Sequence, residues 1–262
     1  MKTSLKAGVF GVLALASLAP GALAEDDAGP FSGGVTLTSD YRFRGQSQTD
    51  RAAAIQGWVQ YDHASGLFAN IWASNIDFND EPTLIDPDNY DSSIEVDLTV
   101  GYSREIMENT TAGIKAVYYL YPDADTPPAS NDYDYFELLA SVEHDYGKAA
   151  VSAELAWSPD YFLESGDAVS LKGGVSVPLM EKFIFMDALT ASANLGYQWI
   201  DDNDTFGTDD YLYFDFGVSA GWEIFTVDLR WVDTDLETAD CFGGLEVCDG
   251  GVVLSLTADI AG

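Results

Sequence analysis

The chain has 262 residues, 47% of them hydrophobic and 13% aromatic, and its 11 basic against 44 acidic side chains give a formal net charge of −33 at pH 7. So large an acidic excess excludes nucleic acid as a partner, because phosphate binding needs a basic surface. No stretch reads as a linker, so residues 25–262 form one domain once the leader is set aside.

That leader is residues 1–24. Lys2 and Lys6 supply a positive start, Val9 to Leu18 an apolar stretch, and Ala22-Leu23-Ala24 the small-residue pattern of a signal-peptide cleavage site. Beyond it no apolar run is long enough for a membrane-crossing helix, which needs about 18 residues.

The mature chain has a period of two: short segments alternating apolar and polar side chains, then polar connections. Strands are predicted at 33–44, 54–62, 67–76, 94–105, 110–121, 133–144, 148–158, 168–178, 188–200, 210–222, 224–235 and 251–260. The first carries Asp40, Arg42 and Arg44 on one parity and Tyr41 and Phe43 on the other. The second ends in Tyr61 and Asp62 and turns through His63-Ala64-Ser65-Gly66 into the third. The fourth, Ile94-Glu95-Val96-Asp97-Leu98-Thr99-Val100-Gly101-Tyr102, shows the pattern most cleanly. Later strands place Lys115, Glu137, Glu154, Lys172, Asp215, Asp228, Arg230 and Asp259 on the polar parity. Tyr41, Phe43, Tyr118, Trp157, Trp199 and Trp231 lie on the apolar parity near the loop ends of their strands, with Tyr61, Tyr102 and Trp222 near the turn ends. No segment of the mature chain has helical period.

Connections alternate in length. Tight turns at 62–66, 107–109, 146–148 and 222–223 interleave with long polar loops at 45–53, 77–93, 122–132, 159–167, 201–209 and 236–250, and the link at 179–187 is the exception. Twelve strands, short turns on one side and long loops on the other are the signature of a transmembrane antiparallel up-and-down β-barrel, an all-β fold. Aromatic belts around an aliphatic band fit the two bilayer interfaces. The competing reading is an exported β-sandwich whose aromatic residues form a core. The barrel reading puts the protein in the outer membrane of a Gram-negative bacterium, with both termini periplasmic and lipid and glycolipid as partners.

On that reading Asp40, Arg42, Arg44, Asp62, Glu95, Asp97, Lys115, Glu137, Glu154, Lys172, Asp215, Asp228, Arg230 and Asp259 line the lumen, since charges at mid-depth cannot face hydrocarbon. They either neutralise one another and hold the barrel's shape or select ions along a solute path. Twelve strands fall between barrels filled by side chains and open channels, so the count decides neither.

Cys241 and Cys248, the only cysteines, flank six residues of the last long loop and are expected to pair in an oxidising compartment. Two thiols without a nearby histidine do not make a zinc site. The long loops are acidic, at 86–91, at 131–134, and at Asp201, Asp202, Asp204, Asp209 and Asp210. Such carboxylates are weak candidates for calcium, but 202–207 places Phe206 where an EF-hand needs a ligand, and a solvated face serves as well. No cofactor is expected otherwise. A barrel hydrolase would need a histidine beside a carboxylate or nucleophile, and His63 and His144 both sit by turns without an evident partner. Carboxylate-only chemistry would need a defined pair, and nothing singles one out.

The run Gly34-Val35-Thr36-Leu37-Thr38-Ser39-Asp40-Tyr41-Arg42-Phe43-Arg44-Gly45, then Ser47-Gln48-Thr49 and Ala54-Ile55-Gln56-Gly57, resembles the opening of the TorF family of porin-like proteins, formerly a proteobacterial family of unknown function. Tyr61 to Ala69, Trp72 to Asn75 and Ile94 to Asp97 are similar to its continuation. The resemblance covers about the first 80 mature residues, and it implies an outer-membrane porin-like barrel with no established catalytic residues. The expected function is passive passage of small hydrophilic solutes or ions, cations favoured. The alternative is a closed structural or adhesive barrel with acidic loops that bind divalent cations.

Overall fold

The computed structural model describes residues 29–78, 92–122, 124, 133–182, 186 and 188–261. The proposed signal peptide and the acidic runs at 86–91 and 131–132 lie outside those residues. Twelve strands form a closed barrel: β1 (Phe31–Thr38), β4 (Ala54–Asp62), β5 (Leu67–Asn75), β6 (Ile94–Met107), β7 (Thr110–Leu120), β8 (Tyr135–Asp145), β9 (Ala150–Ser158), β10 (Ala168–Met180), β11 (Ala188–Ile200), β12 (Tyr211–Trp222), β13 (Phe225–Thr234) and β14 (Gly251–Ala261). Each pairs antiparallel with its neighbours, and closure is made by β1 on β14, from Ser32↔Ala261 to Thr38↔Ser255. No open sheet edge remains in the wall, as a lipid environment requires. Eleven of the twelve strands begin and end within two residues of the positions expected from alternation.

The polarity is inverted relative to a soluble protein. On β6, Leu98 and Val100 are 42% and 61% exposed on the outer face, while Glu95 and Asp97 are 2% and 6% exposed inside. Leu37, Ile55, Ile71, Ile114, Leu138, Leu155, Leu171, Leu195, Phe216, Leu229 and Leu254 continue the apolar outer band around the wall. This excludes the β-sandwich, in which the apolar face would be the buried one.

The exception is the first strand. It leaves the wall after Thr38 and not after residue 44, and the chain turns into the lumen as a small hairpin of β2 (Arg42–Phe43) and β3 (Gln46–Ser47). Asp40 organises the entry: its Oδ1 accepts from Ser47 Oγ at 2.6 Å and from Thr49 Oγ1 at 3.4 Å, and Gln48 N donates to Tyr41 O at 2.7 Å. The turn itself uses left-handed backbone at Arg44 (φ 47°) and Gly45 (φ 88°). Tyr41 and Phe43 therefore do not belong to a lipid-facing belt. Tyr41 is buried against Trp72, ring centroids 5.3 Å apart, and Phe43 packs edge-on against Tyr119 at 5.9 Å.

The loops fold over the same end. A single helical turn, α1 (Asn203–Phe206), was not expected from the sequence; Asp202 caps it by accepting from Thr205 N at 3.0 Å and Thr205 Oγ1 at 2.8 Å. These bonds hold the Asp202 carboxyl below its usual range. Phe206 drops inward onto Tyr161. Cys241 and Cys248 are joined in a disulfide, closing the loop between β13 and β14.

Candidate functional site: the barrel lumen

Three layers fill the interior. At the loop end, the hairpin crosses the lumen and Arg44 meets the far wall. Its Nη2 donates to both oxygens of Glu137 on β8 at 2.9 Å, and its Nη1 donates to Gln198 Oε1 on β11 at 3.0 Å. Both partner strands stand four or five places around the ring from β1. Around this pair, Tyr119 and Tyr135 stack at 4.3 Å, and Tyr161, Tyr211, Tyr213 and Phe206 complete a dry aromatic layer, none of them more than 5% exposed. Tyr119 also donates its hydroxyl to Glu137 Oε2 at 3.0 Å. Bulk water in this section would leave those rings wet.

The middle layer is ionic. Lys172 and Lys115 reach Glu154 at 3.1 and 3.9 Å. Arg230 binds Asp215, lies 3.2 Å from Asp228 Oδ1 and donates to Ser192 Oγ at 2.9 Å, while Asn194 Nδ2 donates to Asp215 at 2.9 Å. Glu95 and Asp97 stand apart from these pairs. Glu95 Oε1 accepts from the Tyr41 hydroxyl at 3.2 Å, but Glu95 Oε2 and Asp97 Oδ1 are buried and accept no hydrogen bond among the described residues.

At the turn end the interior is looser. A cleft is lined by Thr111, Ser141, Glu143, Ser152, Glu154 and Lys172. Asp62 is exposed at the rim, held by Gln60 Nε2 at 3.0 Å, and Asp259 is half-buried on β14 beside Gly34. His63 and His144 sit at this end as well. His63 Nδ1 lies 2.8 Å from Ser65 Oγ and His144 Nδ1 lies 2.7 Å from Thr110 Oγ1. Neither pairing includes a carboxylate, so neither repeats the base-and-orienter geometry of hydrolases.

Asp40, Arg42 and Arg44 reach the lumen through the hairpin, not from a wall strand. Arg42 Nε binds Asp40 Oδ2 at 2.6 Å, beneath the disulfide loop. The acidic loop residues are dispersed in use: Asp202 caps α1, Asp210 accepts from Ile200 N at 2.9 Å, and Asp201, Asp204 and Asp209 are exposed. Among the described residues no three His, Cys, Asp or Glu side chains gather as a metal site. Sequence reasoning overlooked Gln198, Asn194 and the inward tyrosines at 119, 135, 211 and 213. The tyrosines share parity with the lumen charges of β7, β8 and β12, whereas β11 carries no charge and marks its inner face only by the parity of Asn194 and Gln198 opposite Leu195 and Trp199.

A barrel with an apolar exterior, an ionic interior and a chain segment folded across one mouth defines the class: a closed twelve-stranded antiparallel barrel of the outer-membrane type. The family model that describes a bacterial protein of unknown function (Gcw_chp) matches residues 24–257, and the chain belongs to that family. No curated protein matches it. Among solved structures it is similar to the NanC porin, at 9% identity and a TM-score of 0.53 over 87% of this chain and 98% of that one. It is also similar to the KdgM porin, at 6% identity and a TM-score of 0.52 over 87% and 98%. A second KdgM porin structure, in complex with disordered oligogalacturonate, has 6% identity and a TM-score of 0.51 over 87% and 97%. At such identities the likeness is one of fold.

Proposed function

We propose that this protein is an outer-membrane barrel of the porin kind, passing small hydrophilic solutes or ions, with the hairpin at 42–47 as its constriction. The observation that carries the reading is the inversion of polarity: an aliphatic band faces outward all round a closed wall, and paired charges run through the interior. The TorF-like opening residues support it, since Asp40, Arg42, Arg44 and Gly45 of that run build the hairpin. In this reading the long loops are external and the tight turns periplasmic, as in other outer-membrane barrels. Cations are the favoured cargo. Asp40, Glu137, Glu154, Asp215 and Asp228 match the five lumen bases, which leaves the Asp62, Glu95, Asp97 and Asp259 carboxyls outside the ion pairs.

A second reading has its own observation. The dry aromatic layer and the Arg44 bridge fill the loop end, as a shut structural barrel would require. Planar-bilayer recordings of the folded, purified protein separate the two. Discrete ohmic steps support conduction; a protein that shifts on gels between unboiled and boiled samples, yet carries no current at any voltage, overturns it in favour of the shut barrel.

A further inference from the structure

The hairpin cannot hold its own place. Its strands have two residues each, and a hairpin of that size has no stability in isolation. Arg44 on Glu137, Tyr41 on Trp72 and Phe43 on Tyr119 anchor it to the lumen wall. Its anchor to the loop above is Arg42. Its side chain is 5% exposed, and Nη1 shares its two hydrogens among Gly45 O at 3.0 Å within the hairpin, Val247 O at 3.1 Å and Asp249 O at 2.9 Å. The last two carbonyls flank Cys248. Thr234 Oγ1 on β13 donates to Cys248 O at 3.0 Å, and the Cys241–Cys248 bond fixes that short segment against the rest of its loop.

From this we infer that the disulfide loop is a clasp: it presents the carbonyls of Val247 and Asp249 to Arg42 and so keeps the intraluminal hairpin seated across the barrel. The inference rests on the conduction reading only for its consequence, a narrowed passage; the clasp itself stands on geometry. A buried guanidinium released from those carbonyls would keep Asp40 Oδ2 and Gly45 O but lose two of its acceptors, so loosening the loop favours the hairpin leaving for water. Without its cross-link the loop gains conformational freedom and offers the two acceptors at a greater entropic cost. Both cysteines are fully buried, so the bond is shielded from reductant and the clasp is a permanent fixture, not a redox sensor.

The test compares the native protein with a Cys241→Ser/Cys248→Ser double variant, with Arg42→Ala, and with Arg104→Ala as an exposed control far from the clasp. Hydrogen–deuterium exchange of the amides at 41–49 is read beside single-channel conductance. Both clasp variants should exchange those amides at least tenfold faster, with protection of the wall strands and gel heat-modifiability retained, and should show larger or more frequent open steps. Unchanged exchange at 41–49 in Arg42→Ala overturns the clasp, and that variant decides the matter if the serine variant does not assemble. Faster exchange with no current in any protein upholds the clasp and removes the conduction reading instead.

Discussion

Gly196 on β11 and Tyr213 on β12 are direct cross-strand partners, and a Cβ at 196 would overlap the Tyr213 ring. The ring lies flat over the glycine and aims its hydroxyl at Ser170 Oγ, 2.8 Å away. Gly196→Val should therefore displace a ring of the aromatic layer and destabilise the barrel by about 1–3 kcal/mol, the usual cost of overpacking, measured by urea unfolding of the lipid-folded protein. A wild-type midpoint would mean the ring has room to move. Arg44 and Glu137 invite a double-mutant cycle, because their side chains are 9% and 1% exposed. Glu137→Ala strands a buried guanidinium and should cost about 3–5 kcal/mol, or expel the hairpin; adding Arg44→Ala should recover much of that loss. Additive costs would show that the pair contributes little. Parity placed Glu137 in the lumen by sequence alone, but it could not show that its partner would arrive from the first loop.

At the scale of elements, alternation was legible because one physical demand, apolar side chains toward lipid on every second residue, acts along the whole length of each wall strand. It failed where that demand stops. Residues 40–44 keep a perfect polar and apolar alternation through Asp40, Tyr41, Arg42, Phe43 and Arg44, yet both parities end up inside, because a hairpin within the lumen has protein on each face. The tell-tale signs were local: Asp40 with Ser47 and Thr49 as capping partners, and Gly45 where left-handed backbone is needed. The helical turn at 203–206 is missed for a related reason, since one turn is too short to show a period and rests on the Asp202 cap. The wall reading makes a sharp demand of its own. Val100, 61% exposed near the middle of β6, meets hydrocarbon, so Val100→Arg should cost about 2–4 kcal/mol in urea unfolding from liposomes, whereas Asp209→Arg in an exposed loop should change it by less than about 0.5 kcal/mol. Equal small effects would place β6 outside a bilayer.

Over the whole molecule, charge is arranged so that attraction inside the wall is local and the surplus is negative. Each basic group of the described lumen is committed: Arg42 to Asp40, Arg44 to Glu137, Lys115 and Lys172 to Glu154, Arg230 to Asp215 and Asp228. Ion pairs held this close largely cancel at a distance, so the field felt by a mobile ion comes from the groups left over. The lumen carboxyls outside those pairs are Asp62 and Asp259 toward the turn end and, one above the other on the inner face of β6, Glu95 and Asp97, while Asp201, Asp204 and Asp209 are exposed at the loop end. On the conduction reading, a passage so lined would concentrate cations and repel anions, and low ionic strength would sharpen the effect because the screening length grows from about 8 Å at 0.15 M to about 30 Å at 0.01 M. The reversal potential under a potassium chloride gradient should accordingly take the cation-selective sign and rise toward its limit as both solutions are diluted. Glu95→Gln with Asp97→Asn should shift it toward zero, while Val96→Ala with Leu98→Ala on the opposite face should leave it in place. An anion-selective sign in the native protein would assign control of the passage to Arg42 and Arg44, whose guanidinium groups would then outweigh their carboxylate partners at the narrowest point.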